Sequence, residues 1–250
     1  MLRAAVIVLL IALLPSPLRA EARIALVIGN SAYLNTAKLT NPRNDAADMA
    51  AALKKLGFQL IEGFDLDKAA LDRKIRDFAT ALQGADMGGF FYAGHGLQVA
   101  GQNYIVPVDA KAETASALDF EMVRLDLVQR TMEREAPTNI LFLDACRNNP
   151  LARNLARALG TRSTEVGRGL APVESGSGTL ISFSTQPGNV AADGSRRNSR
   201  RPIRTCCRVC SVGRFGRWAR RAEAIRRFVA CDLNVVYARD ARNFLMLLRT

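Results

Sequence analysis

Short apolar runs alternate along the chain with stretches whose apolar residues recur every three or four positions. The run RIALVIG at 23–29 is rich in β-branched residues and ends at Gly29, a pattern typical of a strand buried on both faces. Similar runs predict further strands at 58–61, 87–92, 138–143 and 179–184, with a short hairpin at 104–106. Helical spacing of the apolar residues predicts helices at 42–56, 67–82 and 119–133.

The order of these predicted elements indicates an α/β fold. Strands that alternate with helices form a mostly parallel sheet with helices on both faces. In such sheets the functional side chains gather beyond the carboxyl ends of the strands. Two predicted strands end in chemically distinctive segments, FFYAGHG at 90–96 and ILFLDACRNNP at 140–150. Residues 151–178 are rich in Gly, Ser and Arg and predict a mobile loop.

The positive charge of the chain is concentrated near its C-terminus. The 250 residues carry 35 Lys and Arg against 23 Asp and Glu, a net charge of +12 that favours nucleic acid or an anionic membrane as partner. Residues 199–250 hold 13 of the cations and only 3 acids, whereas residues 21–198 are neutral overall. With 49% apolar residues the chain is a globular protein, not a disordered one. We therefore expect no nucleic-acid partner for the neutral part.

The first twenty residues, 1–20, predict a secretory signal peptide. Arg3 precedes an unbroken apolar run at 4–14, which is too short to span a bilayer as a helix and is followed by prolines and small residues. Cleavage after Ala20 implies an exported protein, either periplasmic or extracellular. The alternative is an uncleaved leader that keeps the chain at a membrane, because Leu18 is larger than the residue usual at its position.

One histidine and one cysteine follow two of the predicted strands. His95 is the only histidine of the chain, and Cys146 is the only cysteine of its neutral part. A cysteine nucleophile needs a base that holds it as thiolate, and an imidazole brought alongside serves that purpose. The Gly96 amide can join that of Cys146 in binding an oxyanion, because a glycine lets the backbone approach a substrate closely. The alternative is a buried apolar cysteine and a hydrogen-bonded structural histidine.

The motifs around these two residues resemble those of a known family. YAGHG and DACRNNP, preceded by RIALVIGNSAY and NPRNDAADMAAAL, look like the caspase-like cysteine peptidases of the caspase, metacaspase and paracaspase clan, in its bacterial exported branch. The resemblance covers residues 22–199, and the histidine lies roughly 50 residues before the cysteine, as in caspases. It implies a caspase-like three-layer sandwich and a cysteine-type endopeptidase with His95 and Cys146 as catalytic dyad and Gly96 in the oxyanion hole.

An acidic residue near the cysteine bears on substrate specificity. Caspases carry a glutamine two positions before the cysteine, whereas this chain has Asp144. In metacaspases and paracaspases this aspartate and a second one, which matches Asp45 here, form an acidic pocket. The resemblance therefore implies protein or peptide substrates that are cleaved after Arg or Lys. The alternatives are a turn carboxylate that accepts backbone hydrogen bonds for Asp144 and a solvated acid in the first helical turn for Asp45.

Two further expectations concern the substrate strand and metal ions. The segment SFSTQPGNVAADGS at 182–195 resembles one that runs beside the substrate as an edge strand, which implies that Ser182 to Ser184 pair with the peptide backbone. We expect no cofactor. Calcium dependence is known in metacaspases, but the acids between 65 and 86 are scattered and offer no loop with calcium-ligand spacing.

The resemblance ends near residue 200, where the composition changes. Residues 200–250 contain four of the five cysteines, their basic residues are all Arg, and they show no apolar periodicity. We expect that this tail is not a native domain but the product of a shifted reading frame, which re-sequencing of the gene tests. The second subdomain would then be incomplete. The alternatives are a zinc site that uses Cys207 and Cys210, arginines that bind nucleic acid or lipid, and a basic membrane-surface helix at 217–229.

Two classes of function follow from the sequence. The first is an exported cysteine endopeptidase that prefers basic residues. The second is a caspase-like binding or scaffold module that lacks activity because its second subdomain is incomplete. Both dyad residues are present, and this favours the enzyme.

Overall fold

The computed structural model describes residues 21–145, 150–158, 160, 166–167, 170–183 and 210–212. The helices and strands in these ranges follow one another in the order β1 (Arg23–Gly29), α1 (Pro42–Lys55), β2 (Gln59–Phe64), α2 (Lys68–Ala81), β3 (Met87–Ala93), β4 (Gly96–Val99), β5 (Gln102–Ile105), α3 (Ala117–Phe120), β6 (Val123–Arg124), α4 (Leu125–Glu135), β7 (Thr138–Asp144), α5 (Pro150–Ala158), β8 (Val166–Gly167), β9 (Thr179–Phe183) and β10 (Cys210–Val212).

The main sheet has six strands in the order β10-β9-β7-β3-β1-β2. All neighbouring strands run parallel except β10, which is antiparallel to β9. The register aligns Gly29 of β1 with Ala93 of β3, and Ala93 with Asp144 of β7. Three strands therefore end at the same level, and the segments that follow them meet at one edge of the sheet.

Both faces of this sheet are covered by helices, as the sequence predicts. On one face α1 packs its buried residues Ala46, Met49, Ala50 and Leu53 against alternate side chains of the strands. On the other face α2 and α4 bury their apolar stripes, which include Leu71, Phe78, Leu82, Val128 and Met132. The fold is α/β, with a mostly parallel sheet between two helical layers.

A smaller, four-stranded sheet lies beside the main one, with the order β6-β5-β4-β8. Its hairpin, β4 and β5, follows directly after β3. The hairpin predicted at 104–106 overlaps only the end of β5, so the prediction places it too late in the chain. A third apolar cluster lies under this sheet and includes Leu97, Tyr104, Val106, Leu151 and Leu155. The two leucines belong to α5, so this helix is part of the same packed unit.

The predicted helix at 119–133 is wrong in its first half. The chain forms α3, then the short strand β6, and only then α4. Val123 and Arg124 pair with Ile105 and Tyr104 of β5, so their backbone belongs to the small sheet. The apolar spacing continues unbroken through this stretch, and the pairing with β5 overrides the helical pattern.

The predicted mobile loop at 151–178 also contains regular structure. Residues Pro150–Ala158 form α5, and Leu151 and Leu155, four positions apart, are almost completely buried. The abundance of Gly and Arg in the window hides this single apolar stripe. Further along the same segment, β8 pairs with Gln98 and Val99 of β4.

Part of the Arg-rich tail contacts the main sheet. Cys210 to Val212 pair with Ser182 to Leu180 of β9. The remainder of residues 200–250 and the predicted signal peptide at 1–20 lie outside the described residues, so the expectation of a shifted reading frame stays a prediction. In the part of the chain that the structure describes, no helix has the length and apolar character needed to cross a membrane.

The docking of α5 predicts a large stability effect at Leu155. Leu155→Ala should lower the free energy of unfolding by about 2–5 kcal/mol, because it leaves a cavity in a packed cluster. Urea denaturation of the full chain measures this change. Arg153→Ala, on the exposed side of the same helix, serves as control and should change it by less than about 0.5 kcal/mol. Equal effects of the two substitutions would mean that α5 is not docked.

Candidate active site

His95 lies at the carboxyl edge of the main sheet, two residues after the end of β3. Its side chain is buried, with 2% of the residue exposed. The preceding residue must be small, because a Cβ at Gly94 would lie 2.6 Å from Tyr33 Oη and 2.7 Å from Tyr92 Oη. Glycine therefore allows the chain to turn here, and the turn carries His95 from the main sheet into the hairpin.

The imidazole of His95 is oriented by a backbone carbonyl. Its Nε2 lies 2.8 Å from the carbonyl oxygen of Ala37, which belongs to the loop between β1 and α1. A carbonyl oxygen only accepts hydrogen bonds, so we assign the proton of the neutral ring to Nε2. Nδ1 is then the basic nitrogen of the ring. The imidazole can thus act as a general base through Nδ1 while Ala37 holds the opposite side.

Gly96 lies against the residue that precedes Cys146. A Cβ at Gly96 would lie 3.0 Å from both Cβ and the carbonyl oxygen of Ala145. The Val106 amide donates to the His95 carbonyl at 3.2 Å, and this bond makes Gly96 and Ile105 an antiparallel pair without mutual hydrogen bonds. The Gly96 N–H therefore points away from β5. Cys146 follows Ala145 in the sequence and lies outside the described residues.

The two acids of the predicted pocket lie on the same face of the sheet. Ile140 and Phe142 of β7 pack under α1, and side chains alternate along a strand, so the half-buried Asp144 belongs to this face as well. Asp45 lies in the first turn of α1 and is also half-buried. The strand β3 runs between the positions of the two acids. Both carboxylates are thus at the carboxyl edge of the sheet, on the side of α1.

The structure differs from the expectation that Ser182 pairs with a substrate. Ser182 is buried in β9, where it is aligned with Phe142 of β7 on one side and with Cys210 of β10 on the other. Because β10 occupies the outer side of β9, this strand is not at the edge of the described sheet. The second predicted residue of this group, Ser184, lies outside the described residues.

Ala37 and Tyr33 are site residues that sequence reasoning missed. Ala37 contributes only its carbonyl oxygen, so its side chain gives no chemical signal. The ring of Tyr33 lies 4.4 Å from the ring of His95, measured between centroids, with an angle of 56° between the planes. The signal for Tyr33 is weak: it is a buried aromatic residue shortly after the first strand, in the NSAY segment.

Asp65 anchors the loop that carries these two residues. Its carboxylate accepts hydrogen bonds from the amides of Ser31 and Ala32 at 2.7 and 2.8 Å and forms a 2.5 Å ion pair with Arg43. Burial by itself raises the pKa of Asp65, but the two amides and the guanidinium outweigh it and hold the pKa below its ordinary value. The charged form of Asp65 is therefore the one that stabilises the loop.

Within the described ranges, no three or more His, Cys, Asp or Glu side chains converge as ligands for a metal ion. The calcium dependence known in metacaspases is therefore given no site by these ranges, and the expectation of no cofactor stays a prediction.

A profile of the caspase domain matches residues 22–200 of the chain. The chain belongs to the caspase-domain family. This membership supports a cysteine-peptidase-like function. It also confirms the resemblance to caspase-like peptidases, whereas the assignment to their bacterial exported branch stays a prediction.

Two curated relatives of this caspase domain come from mammals. They are mucosa-associated lymphoid tissue lymphoma translocation protein 1 of Homo sapiens and its homolog of Mus musculus, each 30% identical over 128 residues. The match covers 51% of this chain but only 15% of each relative. The chain thus corresponds to a small part of these longer proteins.

Two solved structures are also similar to this caspase domain. A protein from Geobacter sulfurreducens is 18% identical, with a TM-score of 0.48 over 69% of this chain and 76% of its own. The Drosophila initiator caspase Dronc is 12% identical, with a TM-score of 0.42 over 69% of this chain and 57% of its own.

The low pKa of Asp65 predicts a pH-dependent contribution to stability. At neutral pH, Asp65→Asn should lower the free energy of unfolding by about 1–3 kcal/mol, because the Ser31 and Ala32 amides and Arg43 lose a charged acceptor. The pKa is depressed in the folded state, so the contribution is present above about pH 4 and is lost as the pH falls through the folded value. The difference between parent and variant should therefore narrow in acid.

Urea denaturation between pH 7 and pH 3 measures this difference. Asparagine is a suitable replacement because the backbone of Asp65 has φ +51°, a region that asparagine adopts readily. Asp72→Asn, which breaks a partly exposed pair with Lys68 four residues away, is the control and should cost less than about 0.5 kcal/mol. A difference at Asp65 that does not change with pH would contradict the assignment.

Proposed function

We propose that this caspase domain is a cysteine endopeptidase whose catalytic dyad is His95 and Cys146. The observation that carries the proposal is the register of β3 and β7, which aligns Ala93 with Asp144. His95 and Cys146 each follow their aligned residue by two positions in the sequence. The close approach of Gly96 to Ala145 supports the same juxtaposition.

The proposed reaction is acyl transfer through a thioester. Nδ1 of His95 takes the thiol proton, and the Cys146 thiolate attacks the scissile carbonyl carbon. The oxygen of the tetrahedral intermediate becomes negative and is stabilised by the Gly96 amide, whose N–H points away from β5. The intermediate collapses as the C–N bond breaks, and His95 gives its proton to the leaving amine. Water then attacks the thioester carbonyl carbon while His95 accepts a proton from that water. The C–S bond breaks, the carboxylic acid product leaves, and His95 returns the proton to the Cys146 thiolate.

The proposed specificity is cleavage after Arg or Lys. Asp45 and Asp144 lie on the same face of the sheet, at the edge where the reaction takes place. Two half-buried carboxylates favour a cationic side chain, because a charge pair is stronger where water is partly excluded. A guanidinium fits best, since it donates in a planar fork to carboxylate oxygens.

The alternative, an inactive scaffold module, is not favoured by the comparisons. We also propose that the protein is exported, with residues 1–20 as its signal peptide. This part of the proposal rests only on the sequence pattern of these residues. Membrane contact would follow only from an uncleaved leader.

The dyad predicts that an arginyl chloromethyl ketone labels the protein at one cysteine. Labelling should be lost in Cys146→Ala and kept in Cys210→Ala, and mass spectrometry of the intact protein measures it. His95→Ala should slow labelling by about 10²- to 10⁴-fold, the usual contribution of a general base. Labelling that persists in Cys146→Ala would exclude Cys146 as the nucleophile.

The acidic pocket predicts a preference for fluorogenic peptides that end in Arg over those that end in Asp. Asp144→Asn should lower kcat/KM for the Arg peptide roughly 30-fold or more, because removal of one partner of a desolvated charge pair costs about 2 kcal/mol or more. Asp48→Asn, which changes an exposed acid of α1, is the matched control and should have no such effect. Faster turnover of the Asp peptide would overturn the proposed specificity.

A further inference from the structure

Two tyrosine hydroxyl groups bind the main chain of His95 on its two sides. The backbone N–H of His95 donates to Tyr33 Oη at 2.7 Å. The hydroxyl of Tyr92 donates to the His95 carbonyl oxygen, also at 2.7 Å. The two hydroxyl oxygens are 3.3 Å apart. We call this pair of hydroxyl groups the hydroxyl clamp.

The hydroxyl clamp replaces the strand pairing that the main chain loses at this point. The last residue of β3 is Ala93, and the Gly94 amide still donates to the Asp144 carbonyl of β7 at 3.3 Å. One residue later the chain turns away from β7, and the His95 N–H donates to Tyr33 Oη. A buried amide without an acceptor is strongly unfavourable, so the Tyr33 hydroxyl stabilises the turn by accepting this hydrogen bond.

The protons of the hydroxyl clamp can be assigned from its contacts. Tyr92 has one proton, and its shortest contact is the His95 carbonyl at 2.7 Å. Tyr33 accepts from the His95 amide, and its own proton points to the Val106 carbonyl or to Tyr92 Oη, both at 3.3 Å. The N–H and the C=O of His95 are therefore each hydrogen-bonded to a tyrosine hydroxyl. Both tyrosines are fully buried, and their hydroxyl oxygens take part in further hydrogen bonds.

Tyr33 also connects the hydroxyl clamp to the imidazole and to α5. Its ring contacts the His95 ring, and Ala37, four residues further along the same loop, accepts from Nε2. The same tyrosine belongs to the apolar cluster that contains Leu151 and Leu155 of α5, the helix that begins shortly after Cys146 in the sequence. The Tyr33 side chain thus contacts both the backbone amide and the ring of His95.

We infer that Tyr33 and Tyr92 are positioning residues that fix the His95 peptide unit and thereby aim Nδ1 at the thiol of Cys146. This inference rests on the proposed function, because Nδ1 is the base of the proposed dyad. Neither tyrosine touches the substrate. Their effect acts through the backbone of His95, which sets the origin and direction of its side chain.

Tyr33→Phe and Tyr92→Phe test the inference because they remove only the hydroxyl groups. In the full chain, each should lower kcat for an Arg-containing peptide about 10- to 100-fold while KM stays within about twofold, because a small misplacement of a catalytic group is costly. Tyr104→Phe, which removes the hydroxyl of a buried tyrosine of β5 outside the hydroxyl clamp, is the matched control and should retain the parent kcat. Equal kcat in all three variants and the parent would overturn the inference.

A second measurement does not depend on activity. His95 is the only histidine, so protein labelled with ¹⁵N-histidine gives the signals of a single imidazole. The parent should show the Nε2–H tautomer and a slowly exchanging His95 amide, and both features should weaken in Tyr33→Phe. A rapidly exchanging His95 amide in the parent would overturn the hydroxyl clamp, even where a variant fails to fold. If the parent cleaves no peptide and is not labelled by the arginyl chloromethyl ketone, the proposed function is overturned instead. The spectra of ¹⁵N-histidine would still test the hydroxyl clamp in that case.

Discussion

The pairing of β3 with β7 is the constraint on which the candidate site depends. Both strands are buried on both faces, so their register is determined by the packing of alternate side chains against the helices above and below. A slip by one residue would turn Phe142 and Asp144 to the opposite face and separate the end of β7 from Gly96. The apolar core therefore holds the edge of the sheet that carries the candidate site in place.

The loop between β1 and α1 is the second element of the site, and polar contacts hold it where the core cannot. Asp65 binds its first amides, the Leu34 amide donates to the Val108 carbonyl, and Ala37 supports the imidazole. Most residues from 34 to 40 are exposed, so these few hydrogen bonds largely determine the geometry of the loop. One side of the site is thus formed by the rigid strand ends. The other side is the loop between β1 and α1, whose position depends on the charged form of Asp65.

Sequence reasoning reached the parts of this architecture that have a clear period or a distinctive residue. The five parallel strands, the helices on both faces and the position of His95 after β3 follow from apolar patterns and from the parallel topology. The break between α3 and α4 did not follow, because the apolar spacing there suits a helix equally well. Ala37 could not be found because it acts through its backbone carbonyl. The outer partner of β9, the strand β10, could not be found because it lies in a segment without a strand pattern.

Gly94 has a consequence for how this region can evolve. Any side chain at this position collides with the oxygen atoms of Tyr33 and Tyr92, so the three positions are not independent. The glycine allows the tyrosines to reach the next peptide unit, and the tyrosines in turn exclude every larger residue from that place. A substitution at one of the three changes which substitutions the other two tolerate. Epistasis among residues 33, 92 and 94 is therefore built into the contacts around the histidine.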